Sequence, residues 1–133
     1  MAKNGDSFIV SLSNAHLDWG EFRNPTNRDF IEGEGYIQIP RLYAKKFNIY
    51  NSNYSKTGLG YNEFYASSED GLLKNVTLLA QGCKEAGDIY AKQFSVKGNL
   101  KVIGSWYQNM NATNNNSVKV TFTSPTNIIL ELI

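Results

Sequence analysis

The stretch IPRLYAKKF, residues 39–47, decides how the rest of the chain is interpreted. Proline has a fixed backbone φ and no N–H, so Pro40 is well suited to the first residue of a helix. Tyr43 and Phe47 are four residues apart, which places both on one apolar side of that helix. The basic residues of the stretch remain free to reach solvent: Arg41, Lys45 and Lys46. The sequence therefore predicts a short helix over residues 40–47 that follows a short strand over residues 36–39.

Outside this stretch the chain is rich in strand signals. Residues 7–13 alternate, with Phe8, Val10 and Leu12 on one side. Apolar residues at helical spacing predict a second short helix that begins near Asn99. Turns, β-branched residues and aromatic residues predict further strands over residues 61–67, 75–81, 88–96, 117–123 and 127–132. Short strands with few helices favour a mainly β barrel or sandwich.

The length and composition set the class of protein. A chain of 133 residues with 41% hydrophobic residues fits one folded domain over residues 1–133. The last predicted strand reaches the end of the sequence, which is consistent with the C-terminal part of a longer protein. No apolar stretch is long enough for a bilayer and the N-terminus has no signal core, so we expect no membrane and a cytoplasmic location. Cys83 is the only cysteine, which excludes an internal disulfide and a cysteine-based zinc site.

The charges argue against binding of nucleic acid through phosphates alone. The net charge is only +1, whereas a non-specific binder usually has a strong basic excess. The charges are unevenly distributed, however, and a locally basic face remains possible. The acidic cluster comprises Asp29, Glu32 and Glu34, and a segment without acids contains Lys92, Lys97, Lys101 and Lys119.

The residues needed for catalysis are poorly represented. His16 is the only histidine, and with Asp18 it forms a weak general-base candidate. The sequence contains no nucleophile elbow, phosphate-binding loop or dinucleotide fingerprint. Glu32 and Glu34 offer two carboxylates to a metal ion but have no identifiable third partner. We therefore expect a binding domain that needs no cofactor and has no catalytic residues.

A long polar segment over residues 14–35 contains side chains that suit recognition of DNA. Arginine binds guanine through two hydrogen bonds, asparagine binds adenine in the same way, and several of these residue types hold phosphates. An ordinary polar loop is the alternative that composition alone leaves open. The candidate residues are Trp19, Arg23, Asn24, Thr26, Asn27 and Arg28.

The stretch over residues 39–47, preceded by a polar loop with Arg28, resembles the Ile-Pro then Phe/Tyr-Ala-Lys-Lys-Phe signature of plant B-three transcription-factor domains. Residues 100–107, LKVIGSWY, are similar to the family's Gly-Trp segment, although Ser105 intervenes. The resemblance implies a seven-stranded open pseudobarrel with two short helices. Because the plant consensus is absent elsewhere, the chain resembles more closely the pseudobarrel specificity domains of certain prokaryotic restriction endonucleases, which read a short duplex site.

In that family two loops grip the major groove of double-stranded DNA. The resemblance places the first loop at residues 14–35 and the second at residues 81–88. It therefore implies that the chain binds DNA without cutting it and that the partner is a nuclease domain or subunit of a parent enzyme. Glu85 suits an acceptor for cytosine N4, or a solvated charge. The implied contacts are the candidates of the first loop, then Gln81, Lys84 and Glu85, with Lys92 and Gln93 beside them.

Two other functions remain open on the sequence. The Tyr- and Asn-rich composition also suits a carbohydrate- or protein-binding β module, and Glu32 with Glu34 suits a small metal-dependent hydrolase. For Trp106 we favour a packing role in the second helix over a stacking platform. Five phenylalanines are expected in the core: Phe8, Phe47, Phe64, Phe94 and Phe122.

Overall fold

The strands of the protein form one sheet that bends into a nearly closed barrel. The computed structural model describes residues 1–13, 35–52, 54–82 and 88–133. These residues contain seven strands and two helices: β1 Ser7–Ser11, β2 Ile37–Gln38, α1 Arg41–Lys46, β3 Glu63–Ser68, β4 Val76–Gln81, β5 Gln93–Val96, α2 Val102–Asn109, β6 Ser117–Phe122 and β7 Asn127–Leu132. The mainly β architecture with two short helices is thus confirmed.

The strands follow one another in the order β1-β6-β7-β3-β4-β5-β2. Strands β3 and β7 pair in parallel, and all other neighbours pair antiparallel. Strands β1 and β2 therefore stand at the two ends of the strand order. Among the described residues, neither helix has the length and apolar character to cross a membrane.

Helix α1 forms as the sequence predicts. Pro40 is its N-cap and Phe47 its C-cap, and Asn48 ends it with a φ of 56°. Tyr43 packs against the ring of Phe8 at 5.3 Å between centroids, and against Phe47 at 5.8 Å. The apolar side of the helix is thereby held against β1 and the core.

The centre of the barrel is aromatic. All five phenylalanines expected in the core are buried there. Phe64 contacts Phe94 and Phe122 edge to face, with centroids 5.7 and 5.6 Å apart. This geometry is favourable beyond the area that the rings bury. Trp106 is also buried, so its predicted packing role is confirmed.

Two predicted boundaries are wrong. The strand predicted over residues 88–96 begins only at Gln93, because the preceding residues bond to another segment: the Ala91 amide donates to Ile49 O at 3.1 Å, and Tyr50 pairs with Tyr90. The second helix begins at Val102 and not near Asn99, because Asn99 starts a turn in which its Oδ1 accepts from the Lys101 amide at 3.1 Å.

Candidate nucleic-acid interface

Most of the predicted contact residues lie outside the described part of the chain. This holds for the whole first-loop set, for the weak catalytic candidates and for the middle of the second loop: Trp19, Arg23, Asn24, Thr26, Asn27, Arg28, His16, Asp18, Glu32, Glu34, Cys83, Lys84 and Glu85. The structure does describe Gln81, Lys92 and Gln93. It also describes the residues that flank both loops.

Gln81 and Gln93 belong to a row of three glutamines across the sheet. Gln81 of β4 pairs with Gln93 of β5, and Gln93 pairs with Gln38 of β2. The neighbouring Ile37 and Phe94 are fully buried, so alternation places the three glutamines on the outer face of the barrel. Gln38 is exposed and the other two are half-buried. Adjacent strands are about 4.8 Å apart, so the row is roughly 10 Å wide.

Cationic side chains lie beside this glutamine row. Helix α1 begins just after β2, and its Arg41 and Lys45 both approach the ring of Tyr90, at 5.9 and 6.0 Å from the centroid. They reach the same ring because residues four apart share a helix face. A cleft of about 210 Å³ separates the helix from the approach to β5. Its lining is Gln38, Ile39, Arg41, Asp88, Ala91 and Lys92.

Asp88 is the acidic partner of this cationic group. Its carboxylate accepts a hydrogen bond from the Tyr90 amide and forms an ion pair with Arg41. The bond from Tyr90 lowers the pKa of Asp88, desolvation opposes it, and Arg41 and Lys92 lower the pKa further, so the net direction is downward. Asp88 is therefore ionised at neutral pH and holds Arg41 beside the cleft.

The two ends of the first loop are attached to different elements, the first to the start of β6 and the second to helix α2. At its N-terminal end, the Leu12 amide donates to Asn116 O at 3.0 Å. At its C-terminal end, the Tyr107 hydroxyl donates to Tyr36 O at 2.8 Å. Burial raises the pKa of Tyr107 strongly, so this phenol remains a neutral donor.

The C-terminal flank of the first loop and the N-terminal flank of the second loop lie at different ends of β5. The register between β2 and β5, continued by one residue, brings Tyr36 level with Ser95. The register between β4 and β5 brings Gly82 level with Lys92. Three residues of strand separate these levels, which is roughly 10 Å. The glutamine row lies between them.

Four tyrosines form a cluster near the cations. Tyr50 stacks on Tyr54 at 3.9 Å and on Tyr90 at 5.6 Å, and Tyr61 lies 6.5 Å away. The rings thus pack mainly on one another, and Arg41 and Lys45 lie over Tyr90. Within residues 1–13, 35–52, 54–82 and 88–133, no group of three or more His, Cys, Asp or Glu is placed to hold a metal ion.

Sequence reasoning missed Gln38, Arg41 and Asn51 as parts of this region. Alternation around Ile37 and Ile39 could have placed Gln38 on the outer face. The spacing of Arg41 and Lys45 already put both on the solvent side of the helix. No local signal in the sequence marks Asn51, which is 1% exposed and whose side chain bonds to the Gly82 amide and to Asp88 O.

Comparison with known proteins supports the fold. No family model and no curated protein matches the chain. The solved structure of the hypothetical Arabidopsis thaliana protein At1g16640.1 is similar, with a TM-score of 0.54 and 10% sequence identity. The match covers 100% of this chain and 95% of that one. At this identity the likeness shows the pseudobarrel fold alone, which agrees with the fold that the B-three resemblance implies.

Proposed function

We propose that the chain recognises a specific sequence in double-stranded DNA, with the loops over residues 14–35 and 81–88 gripping the major groove. The observation that carries the proposal is the row of Gln38, Gln93 and Gln81 with cations beside it. A glutamine amide donates to adenine N7 and accepts from adenine N6, a pairing that distinguishes bases. The restriction-enzyme resemblance supports a proposed role as a target-recognition domain whose nuclease is in another domain or subunit.

The dimensions of the surface support a groove-sized ligand. The major groove of B-DNA is about 12 Å wide. The glutamine row is roughly 10 Å wide, and the loop flanks lie roughly 10 Å apart along β5. These dimensions are close to the width of the groove, which supports a duplex whose groove floor faces the glutamines.

The charges support a specific contact. Arg41, Lys45 and Lys92 suit phosphates at the rim of the row, because phosphate contacts fix the register of a protein on a duplex. With a net charge of +1, the chain gains little from long-range attraction to DNA. Discrimination must then come from the side chains at the base edges.

Selection from a random duplex pool tests the proposal directly. We expect one enriched short sequence, and an affinity for it that falls steeply between 50 and 200 mM salt, as it does for proteins with several phosphate contacts. Absence of enrichment together with a flat salt response would contradict DNA recognition.

Mg²⁺ should not produce cleavage by the purified chain. Cleavage that is lost in Glu32→Ala would instead favour the hydrolase.

Substitutions in the first loop test its part in recognition. Arg23→Ala and Arg28→Ala should each weaken binding to the selected duplex, while Lys119→Ala, on β6, should not. Unchanged affinity in both arginine variants would remove the first loop from the interface.

A carbohydrate-binding function is the second candidate, and the tyrosine cluster is the observation that favours it. Tyr54 and Tyr61 are partly exposed at the edge of the cluster. Binding of a neutral oligosaccharide would barely change with salt. Tyr54→Ala would abolish such binding but leave duplex affinity intact.

A further inference from the structure

Asn51 is a buried polar residue between the two ends of the second loop. It is 1% exposed, although asparagine is usually a surface residue. Its Oδ1 accepts from the Gly82 amide at 3.1 Å and from the Ser52 amide at 2.8 Å. Its Nδ2 donates to Asp88 O at 3.5 Å. One side chain thus joins Gly82 and Asp88, the residues between which residues 83–87 run.

The backbone of Asn51 reinforces this connection. Its amide donates to Ile89 O at 2.7 Å, and the neighbouring Tyr50 pairs with Tyr90. The C-terminal flank of the loop is therefore fixed by the main chain. The N-terminal flank is held by the main chain as far as Gln81, whose carbonyl accepts from the Lys92 amide at 2.7 Å, and the Gly82 amide that follows donates to the Asn51 side chain.

Gly82 shows that the contact with Asn51 is close. A Cβ at this position would stand 3.3 Å from Asn51 Nδ2 and 3.4 Å from both Lys92 Cγ and Tyr90 O. Lys92 belongs to the wall of the cleft, and Tyr90 belongs to the segment that bonds to Asn51 and Tyr50. A side chain at residue 82 would therefore push against the amide that joins the two flanks.

We propose that Asn51 is the positioning residue of the two flanks of the second loop, and that it holds Gly82 and Asp88 at a fixed separation, which keeps Gln81 and the ion pair of Asp88 with Arg41 in place beside Gln93. The proposal rests on the proposed function for its ligand, but the holding of the two flanks can be measured without DNA. A loop held at both ends loses less conformational entropy on binding, which favours the specific complex.

Asn62 provides a matched control. It is 4% exposed, and its Oδ1 accepts from the Gly58 amide at 2.6 Å. Its carbonyl accepts from the Ala80 amide at 2.8 Å, but its side-chain bond holds neither Gly82 nor Asp88. Asn62→Ala removes the same type of bond as Asn51→Ala. Asn51→Asp is the graded variant, because it retains an acceptor for Gly82 but loses the donor to Asp88 O.

Hydrogen exchange tests the holding of the flanks. The Gly82 amide should exchange roughly tenfold faster in Asn51→Ala, because its partner is removed, and no faster in Asn62→Ala. Asn51→Asp should show a smaller acceleration. Equal exchange at Gly82 in Asn51→Ala and wild type would overturn the proposal, whether or not the chain binds DNA.

Binding then tests the consequence for recognition. At a temperature where all variants are folded, Asn51→Ala should reduce the ratio of affinities for the selected and a scrambled duplex roughly tenfold, with the salt slope unchanged. Gly82→Ala should do the same. A ratio that falls equally in Asn62→Ala would show a general stability effect and contradict the proposal. Failure of wild type to prefer any duplex would instead refute the proposed function and leave the exchange result to decide the role of Asn51.

Discussion

The two ends of β5 differ in the environment of the polar atoms beside them. Next to helix α2, the large side chains of Trp106 and Tyr107 are buried, and each has a single polar group with a partner: Trp106 Nε1 donates to Asp70 at 2.8 Å, and Tyr107 donates to Tyr36 O. Next to helix α1, the outer face carries Gln38, Lys92 and Arg41, which are exposed.

Under the proposed function, this difference separates residues that stabilise the fold from residues that contact the ligand. Burial of large aromatic groups with satisfied donors supplies much stabilisation at the α2 end. The α1 end also buries apolar side chains, such as Ala44 and Phe47, but its outer face keeps amide and cationic groups exposed to solvent. Substitutions at the α2 end should therefore change unfolding, and substitutions at the α1 end should change binding.

The largest effect is expected for Trp106→Ala. Loss of a buried tryptophan costs about 3–5 kcal/mol of unfolding free energy, and Asp70 loses a donor as well. Urea denaturation measures the change. Trp106→Phe is the control, since it keeps most of the apolar volume and should cost less. If Trp106→Ala lost duplex affinity without loss of stability, the division between the two ends would be wrong.

Gln93→Ala tests the α1 end, where the glutamine row lies. It should lower discrimination at one base pair by about 1–3 kcal/mol, because a two-bond contact to a base edge is lost. The unfolding free energy should change by less than about 0.5 kcal/mol. Competition binding with single-base variants of the selected duplex measures the effect, with Thr77→Ala on the outer face of β4 as control. A uniform loss over all variants would mean that Gln93 does not contact a base.

Arg41→Ala and Lys92→Ala should have smaller and less selective effects. Each is expected to reduce the magnitude of the salt slope by about 0.9, since one phosphate contact is lost, and to weaken binding to all sequences alike. Titrations at several salt concentrations measure the slope. The control is Lys101→Ala, beside helix α2, which should leave the salt slope unchanged. An equal reduction of the slope in Lys101→Ala would mean that the phosphates do not lie specifically beside Arg41 and Lys92.

The local parts of the fold could be predicted and the tertiary parts could not. Pro40 with Tyr43 and Phe47 determines helix α1 within nine residues. The start of β5 was misplaced because residues 89–91 bond to residues 49–51, a contact between segments far apart in sequence. Asn51 resembles a surface turn residue in the sequence, and only its burial between two loop flanks gives it a role. Gln38 was missed because β2 has only two residues, although the buried Ile37 and Ile39 on either side of it indicate that it lies on the outer face.

The smallest effects are expected for two carboxylates, Asp70 at the α2 end of β5 and Asp88 at the α1 end. Desolvation would raise the pKa of Asp70, but bonds donated by Ser68 Oγ, the Leu72 amide and Trp106 Nε1 outweigh it, so the net direction is downward. The unfolded chain then binds the proton more tightly than the folded one. The stabilisation by ionised Asp70 is therefore present above the ordinary pKa near 3.8 and is lost as the pH falls through the lower folded-state pKa.

Asp70→Asn should thus be less stable than wild type at pH 7, by under about 1 kcal/mol, and the difference should vanish in strong acid. Asp88→Asn should follow the same pH direction, because the pKa of Asp88 is also lowered. Added salt should separate them: it screens the exposed pair of Asp88 with Arg41 but scarcely affects the short hydrogen bonds of Asp70. Urea denaturation at two pH values and two salt concentrations measures the unfolding free energy of both variants. Equal salt sensitivity would show that the two ends use their acidic groups in the same way.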